Sequence, residues 1–432
     1  MSEQTVPQGL RATFQKPYPV LWLLFLIYMC NAMDRNIIAF LAEPIRRDLD
    51  ITDTQLGLLT GLAFAFFYTL CGVPVGWLAD RIGRVLTISV ACVVWSACSM
   101  AGALSSTFGH LALARVGVAI GEAGGTAPSY ALIAAKFAPE QRGHALGLFH
   151  VGAPLASLIG VALSGWFAAH YGWRTALVAV SLPGLLFAAV LFLFVREPAR
   201  GADEAGGANA VPAPPLTRSF VDFWRHPVLG LCFIFAGITS FATHALIAWA
   251  PAFLMRVKGM TLIEMSVWFS VCNASALALG FWLGGALSDR LARRTPGAYA
   301  LVPAAGLLIA IPFLVMAVWA DGWMASMFLL TVPICFAGLF LAPAVAVVQA
   351  YAPAHQATVF GSIYLLANNL VGSGLGPLYV GTISDYFKAS QGTAALGLGL
   401  IALVPVMALA VFGQILIART IGRHPEPFRR AA

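Results

Sequence analysis

The chain has 432 residues, 60% of them apolar and only 10% charged, whereas soluble domains carry about 25% charged residues. With a mean hydropathy of +0.84, a soluble globular protein is excluded. The net charge of +7 does not point to nucleic acid, because the basic residues sit in short loops between apolar runs, where they set membrane orientation.

Twelve apolar segments follow one another, at about 18–42, 55–79, 85–106, 108–136, 142–169, 173–195, 227–254, 265–288, 298–319, 323–350, 357–384 and 393–418. Backbone polar groups in a bilayer must pair within each segment, and the alternation of a barrel strand is missing, so each segment is predicted to be a helix. The seven cysteines all lie in apolar runs with no CxxC spacing, which suits packing rather than metal binding. Between the sixth and seventh segments, residues 196–226 hold Gly201-Ala-Asp-Glu-Ala-Gly-Gly and Val211-Pro-Ala-Pro-Pro and read as a linker. It separates an N-terminal bundle, 1–195, from a C-terminal bundle, 227–432. With both termini on one side, that side holds seventeen Lys and Arg against six opposite. The termini and the linker are therefore expected on the cytoplasmic side.

One phrase occurs twice. Gly76-Trp77-Leu78-Ala79-Asp80-Arg81-Ile82-Gly83-Arg84 returns as Gly285-Ala286-Leu287-Ser288-Asp289-Arg290-Leu291-Ala292-Arg293, 209 positions later. Each copy closes one apolar run and opens the next. A duplicated half of this length in so apolar a chain implies two six-helix bundles on one plan, the layout of a secondary transporter.

Only Asp34, Arg35, Arg115 and Glu122 are charged and deep within apolar segments, on the first and fourth spans. Ionisable groups at that depth cost several kcal/mol unless paired or wetted, so a functional role is the default. Glu122 lies seven residues beyond Arg115, two turns along the same helix face. With both carboxylates ionised the group is neutral, and one added proton leaves a net positive charge that would attract an anionic group. Glu122 is the expected main proton carrier and Asp34 a second protonatable site. Arg35 is the partner expected to switch between them, and Arg115 holds Glu122 or touches substrate. The competing expectation is a static ion-pair lock between the two spans. The C-terminal half offers neutral polar groups instead: Thr239, Ser240, Thr243 and His244, then Asn273, Gln349, Asn368 and Asn369. Of these, Thr243, His244, Asn273, Gln349, Asn368 and Asn369 are candidates to line a substrate cavity, with ordinary helix–helix hydrogen bonding as the alternative for each.

The twelve spans and the loop Gly76-x-Leu78-Ala79-Asp80-Arg81-x-Gly83-Arg84 resemble the major facilitator superfamily. Within it the chain looks most like the Spinster transporters, through Asn31-Ala-Met33-Asp34-Arg35, Gly121-Glu122-Ala123, Gln141-Arg142, Val195-Arg196-Glu197-Pro198, Trp249-Ala-Pro251 and Pro377-Leu-x-x-Gly381-x-Ile383-Ser384-Asp385. The resemblance implies an all-α membrane fold of twelve helices in two pseudo-symmetric bundles, working by rocker-switch alternating access. It also implies proton coupling and amphipathic, lipid-like substrates, sphingolipids and lysophospholipids being those of the animal members. Gly76, Asp80, Arg81, Gly83, Arg84, Arg142, Asp289 and Arg290 then become gating residues, Asp80 facing the start of the eleventh helix. Two departures stand out: Ala292 replaces the second glycine of the repeat, and Gly152-Ala153-Pro154 matches the Gly-Pro pattern of drug antiporters only in part. Direction of transport stays open.

The expected function is proton-coupled movement of an amphipathic organic anion across the inner (cytoplasmic) membrane by a monomer embedded in the lipid bilayer. Protons are the coupling ion, with no other cofactor, no metal and no nucleic-acid partner. The alternatives are proton-symport import of a small carboxylate or sugar acid, and passive uniport. No nucleophile–base set, cofactor fingerprint or phosphate loop argues for an enzyme.

Overall fold

The computed structural model describes residues 16–137, 145, 148–197, 216–352 and 357–424, and every regular element among them is helical. The first helices are α1 (Pro17–Phe40), α2 (Ala42–Leu49), α3 (Asp53–Thr60), α4 (Leu62–Ile82), α5 (Arg84–Gly102), α6 (Phe108–Glu122), α7 (Thr126–Lys136), α8 (Gly152–Tyr171) and α9 (Trp173–Phe194). After them come α10 (Leu216–Arg225), α11 (Pro227–Arg256), α12 (Ser270–Ala292), α13 (Ala298–Trp319), α14 (Trp323–Gly338), α15 (Leu341–Tyr351), α16 (Ala357–Ala367), α17 (Gly376–Gln391), α18 (Ala395–Ile401) and α19 (Leu403–Arg423). Two π-helical stretches, Met265–Phe269 and Asn368–Leu375, lead into α12 and α17.

Among the described residues, ten stretches are long and apolar enough to cross a membrane. One of them, Ile363–Arg423, is 61 residues long, about three times the roughly 20 that a single crossing needs. Gly392, at φ +55, reverses the chain inside it, so that α17 packs against α18 and the stretch holds two spans. The span expected over 108–136 is not among the ten because Ala123-Gly124-Gly125 breaks it into α6 and α7. The twelve apolar segments of the sequence thus each map onto a helix or a broken pair of helices.

Contacts divide the chain into two compact units: residues 1–49 with 66–208, and residues 50–65 with 209–432. Helix α3 and the first residues of α4 therefore pack within the second unit. Local sequence explains many helix starts. Thr52 and Gln55 form a reciprocal capping box at α3, Thr107 caps α6 through the His110 amide, and Thr261 and Glu264 repeat the box ahead of α12. The segment read as a linker, 196–226, includes a helix, α10.

Within the first unit, α1 packs on α8 and α9, and α5 packs on α6 and α9. The α5–α6 approach is close enough that a Cβ on Gly121 would come within 2.6 Å of the Trp95 backbone nitrogen. That missing side chain sets the depth at which the neighbouring Glu122 is held. In the second unit the equivalent close approach joins α3 to the π stretch and α17. A Cβ on Gly57 would meet the Pro377 carbonyl at 2.6 Å, and one on Gly61 the Gly374 carbonyl at 2.6 Å.

Candidate functional site

Four charges meet in the first unit. On α1, successive residues point about 100° apart, so Asp34 and Arg35 face different neighbours. Arg35 reaches α6, where its Nε donates to Glu122 Oε2 at 2.9 Å. Its Nη2 donates to Asn31 Oδ1 at 3.3 Å, and its guanidinium carbon sits 4.7 Å from the centre of the Tyr68 ring. The Glu122 side chain is fully buried, while that of Arg35 is 33% exposed. Glu122 Oε1 has no hydrogen-bond partner among the described residues.

Asp34 turns the other way, into a cage of serines. Its Oδ1 accepts from Ser99 Oγ on α5 at 2.8 Å and from Ser181 Oγ on α9 at 2.5 Å. Ser181 Oγ is also 2.8 Å from Ser99 Oγ. A hydroxyl has one proton to give, so Ser181 serves either Asp34 or Ser99 at any moment. Asp34 Oδ2 has no partner among the described residues. Arg115, buried on α6, donates from Nη1 to the Asp34 carbonyl at 3.0 Å and from Nη2 to the Arg35 carbonyl. It ties the α1 backbone to α6 at the two residues that carry charge. Sequence reasoning placed Arg115 against Glu122 or substrate. Two of its hydrogen bonds here go to main chain, at the two residues of α1 that carry charge.

Ser99 and Ser181 were not among the expected site residues. Nothing in the sequence distinguishes them from serines that bond their own helix, as Ser89 does to the Val85 carbonyl and Ser164 to the Gly160 carbonyl.

At the loop repeat, Gly83 adopts φ +110, a backbone conformation that favours glycine. The turn presents the first amides of α5 to Glu197: Arg84 N donates to Oε1 at 2.8 Å and Val85 N to Oε2 at 2.7 Å. A carboxylate at a helix start satisfies orphan amides and the positive end of the dipole. Arg84 also bonds the Ala131 carbonyl at 3.1 Å through Nη1. Arg81 is exposed. In the second copy Asp289 accepts from Tyr299 Oη at 2.9 Å, and Arg290 is exposed. Gly76 lies within α4. Arg142 and the Asp80 side chain, and with them the expected Asp80 contact, lie outside the described residues.

In the second unit, Ser240 gathers part of the expected cavity lining. Its Oγ bonds the Asn368 carbonyl at 3.1 Å and lies 3.0 Å from His244 Nδ1, which is also 3.0 Å from the Ser240 carbonyl. A carbonyl only accepts, so Nδ1 carries the proton and Nε2 is the ring's acceptor when neutral. Thr243 is buried and bonds the Thr239 carbonyl of its own helix, and Gln414 of α19 donates to Thr239 Oγ1 at 3.2 Å. Asn273 is buried on α12; Asn368 is buried and Asn369 half-buried in the π stretch. The Gln349 side chain lies outside the described residues.

A network that sequence reasoning missed sits at the start of α3. Asp385, near the end of α17, accepts from the Asp53 amide at 3.0 Å and the Thr54 amide at 2.6 Å. Asp53 in turn accepts through Oδ2 from Arg256 Nη1 at 2.5 Å and Ser384 Oγ at 2.6 Å. Both members of the Arg256–Asp53 pair are nearly buried, at 8% and 2% exposed. Trp249 Nε1 donates to the Pro377 carbonyl at 2.8 Å beside it.

With this geometry in hand, the comparisons with known proteins fall into place. The chain is 31% identical over 400 residues to an MFS-type efflux pump of Mycolicibacterium smegmatis, covering 91% of each protein. It is 30% identical over 282 residues to the hexuronate transporter of Bacillus subtilis, covering 64% of this chain and 65% of that one. Among solved structures, a bacterial homolog of the human lysosomal transporter Spinster, in an inward-facing and unoccupied conformation, superposes with a TM-score of 0.85. That match has 30% identity and covers 96% of this chain and 98% of the other. The Major Facilitator Superfamily model matches residues 24–377, and with the helical architecture and the paired loop phrase this makes the chain a multi-pass, Spinster-like transporter, not an enzyme, that belongs to the major facilitator superfamily.

Proposed function

We propose that the protein couples movement of an amphipathic, lipid-like organic anion to protons by alternating access in the inner membrane, with both termini cytoplasmic. The observation that carries this reading is the buried Arg35–Glu122 pair, with one Glu122 oxygen left without a partner among the described residues. A buried ion pair is a poor source of stability, because desolvation cancels most of the attraction. In a membrane segment it is better explained by work done on the pair.

Protonating Glu122 removes the charge that holds Arg35. The guanidinium keeps Asn31 and the Tyr68 face, and its charge, no longer balanced by Glu122, is left to offer an anionic headgroup. Asp34, served by two serine hydroxyls, is the second protonatable site, and Arg115 holds α1 in register through main-chain bonds. Within the second unit, the neutral donors and acceptors around Ser240, His244 and Asn368 suit an apolar group with few polar atoms. Similarity to an efflux pump favours outward movement, and similarity to a Spinster homolog favours the lipid-like class. Likeness to a hexuronate transporter supports the second reading, import of a small sugar acid.

The test is flux in proteoliposomes under an imposed pH gradient, with labelled lysophospholipid and labelled galacturonate run in parallel. Gradient-driven lysophospholipid flux, lost in Glu122→Gln while exchange at equal pH survives, is the expected result. Galacturonate flux alone would replace the lipid-like reading with the sugar-acid one. Lipid flux indifferent to the gradient and to Glu122→Gln would overturn proton coupling.

A further inference from the structure

Helix α10 lies between the two halves of the sequence and plays no part in the site above. It divides into three faces. At about 100° per residue, Phe223 points one way, Phe220, Val221 and Trp224 share an adjoining arc, and Arg218 and Arg225 flank the far edge of that arc. The structure follows this division. Phe223 is 0% exposed, whereas Phe220, Val221 and Trp224 are 45%, 46% and 40% exposed. Both arginines are exposed as well.

Phe223 docks the helix onto its own unit. It joins the core formed by Val228, Leu229 and Cys232, and meets the Phe360 ring edge-on at 5.3 Å between centroids. His226 then takes an extended backbone (φ −84, ψ 116) and Pro227 opens α11. Because the chain turns there, the Trp224 ring folds back along α11, reaching Gly230 and lying 5.0 Å from the Phe233 ring. Helix α10 thus does not prolong the span. It lies against the first two turns of α11, at the level where a membrane-crossing helix enters the bilayer.

A short helix at that level with an apolar arc and arginines beside it has the pattern of an interfacial helix, its apolar face sunk between headgroups and its arginines turned to phosphates. We propose that α10 is an in-plane membrane anchor: Phe220, Val221 and Trp224 insert into the leaflet at the entry of α11, and Arg218 and Arg225 bind anionic phospholipid headgroups. Charge complementarity selects this occupant. The cations border one edge of the apolar arc, where a bilayer presents phosphate beside hydrocarbon, and the face at its other edge is already spent on Phe223 and the α11 core.

The experiment uses the full-length protein in vesicles of phosphatidylcholine with and without phosphatidylglycerol. Benzoylphenylalanine is placed in turn at positions 220, 221 and 222 and photoactivated, and the products are read by mass spectrometry. Positions 220 and 221 are expected to capture phospholipid acyl chains, and position 222 to give little lipid product. Native mass spectrometry of the Arg218→Gln/Arg225→Gln variant reads the headgroup arm. Losing two cations at an anionic surface is expected to weaken one phosphatidylglycerol site about 30-fold, with phosphatidylcholine binding unchanged. Capture at 220 and 221 of another copy, of another segment of this chain, or of nothing would overturn the insertion. Unchanged phosphatidylglycerol affinity in the double variant would overturn the headgroup assignment. Wild-type helicity and monomer elution of each variant exclude misfolding as the cause.

Discussion

Removing either member of the Arg35–Glu122 pair should not cost the same, and the difference follows from exposure. Glu122 is fully buried, and Arg35 Nε is its only hydrogen-bond donor among the interactions described, whereas the Arg35 side chain is one-third exposed and keeps Asn31 and the Tyr68 ring. Arg35→Gln leaves a buried carboxylate without its cation, a change that costs about 3–5 kcal/mol where buried pairs are broken. Glu122→Gln leaves a guanidinium that water and the Tyr68 face still stabilise, and a Gln oxygen can accept from Nε, so the loss should be about 1 kcal/mol. The double variant carries no buried charge at this point and should lie within about 1–2 kcal/mol of wild type, because a neutral replacement of a buried pair is often tolerated. The cycle then yields a coupling energy of roughly 2–5 kcal/mol between the two positions. Denaturation of the purified protein in mild detergent, followed by helicity, measures all four corners. Equal losses for the two single variants would refute the argument from exposure. Additive losses in the double variant would refute a direct ion pair altogether.

Three other outcomes follow from the same reasoning. Arg256→Gln strands Asp53, which keeps Ser384 alone as a side-chain donor, and should cost about 3–5 kcal/mol, largely regained in Asp53→Asn/Arg256→Gln; thermal unfolding of the three proteins checks it. Asp385→Ala removes the acceptor for the first two amides of α3 and should cost about 1–2 kcal/mol, the range for losing a charged helix cap. In hydrogen exchange the amides of residues 53–56 would then exchange faster while those of α17 hold. Glu197→Ala leaves the Arg84 and Val85 amides uncapped; we expect about 1–2 kcal/mol of destabilisation and slower transport, and unchanged values of both would refute a role for the Glu197 cap.

How much of this was legible in sequence depends on the distance over which each signal acts. Helical spans were legible because lipid forces every backbone group to pair locally, so apolar run length is itself the signal. The cluster on α1 and α6 was legible in its members, since a charge inside an apolar run is rare enough to stand out one residue at a time. Its wiring was not. Asp34 is held by Ser99 and Ser181, 65 and 147 residues away, and a membrane-span serine looks the same whether it bonds a distant carboxylate or its own helix. Arg115 shows the same limit from the other side: nothing in the sequence tells that two of its donors go to the carbonyls of Asp34 and Arg35.

The start of α3 shows what a local reading loses. Thr52-Asp53-Thr54-Gln55 forms a capping box of its own. Asp53 and Arg256 both stood at the margins of apolar runs, where charges are ordinary, so neither attracted a functional reading. Their burial goes with the close approach of α3 to the π stretch and α17 that Gly57, Gly61 and Gly381 permit, which brings Ser384 and Asp385 to the start of α3. Each end of that contact is unremarkable by itself: two small residues on one helix, a Ser-Asp pair closing another. The contact joins positions more than 300 apart in sequence, and it holds α3 in the second unit although the chain on either side of residues 50–65 belongs to the first. A substitution that opens the α3–α17 approach, such as Gly57→Val, therefore acts on Asp53, Arg256 and Asp385 together. It should mimic the loss of the ion pair and the cap at once, without altering any charge.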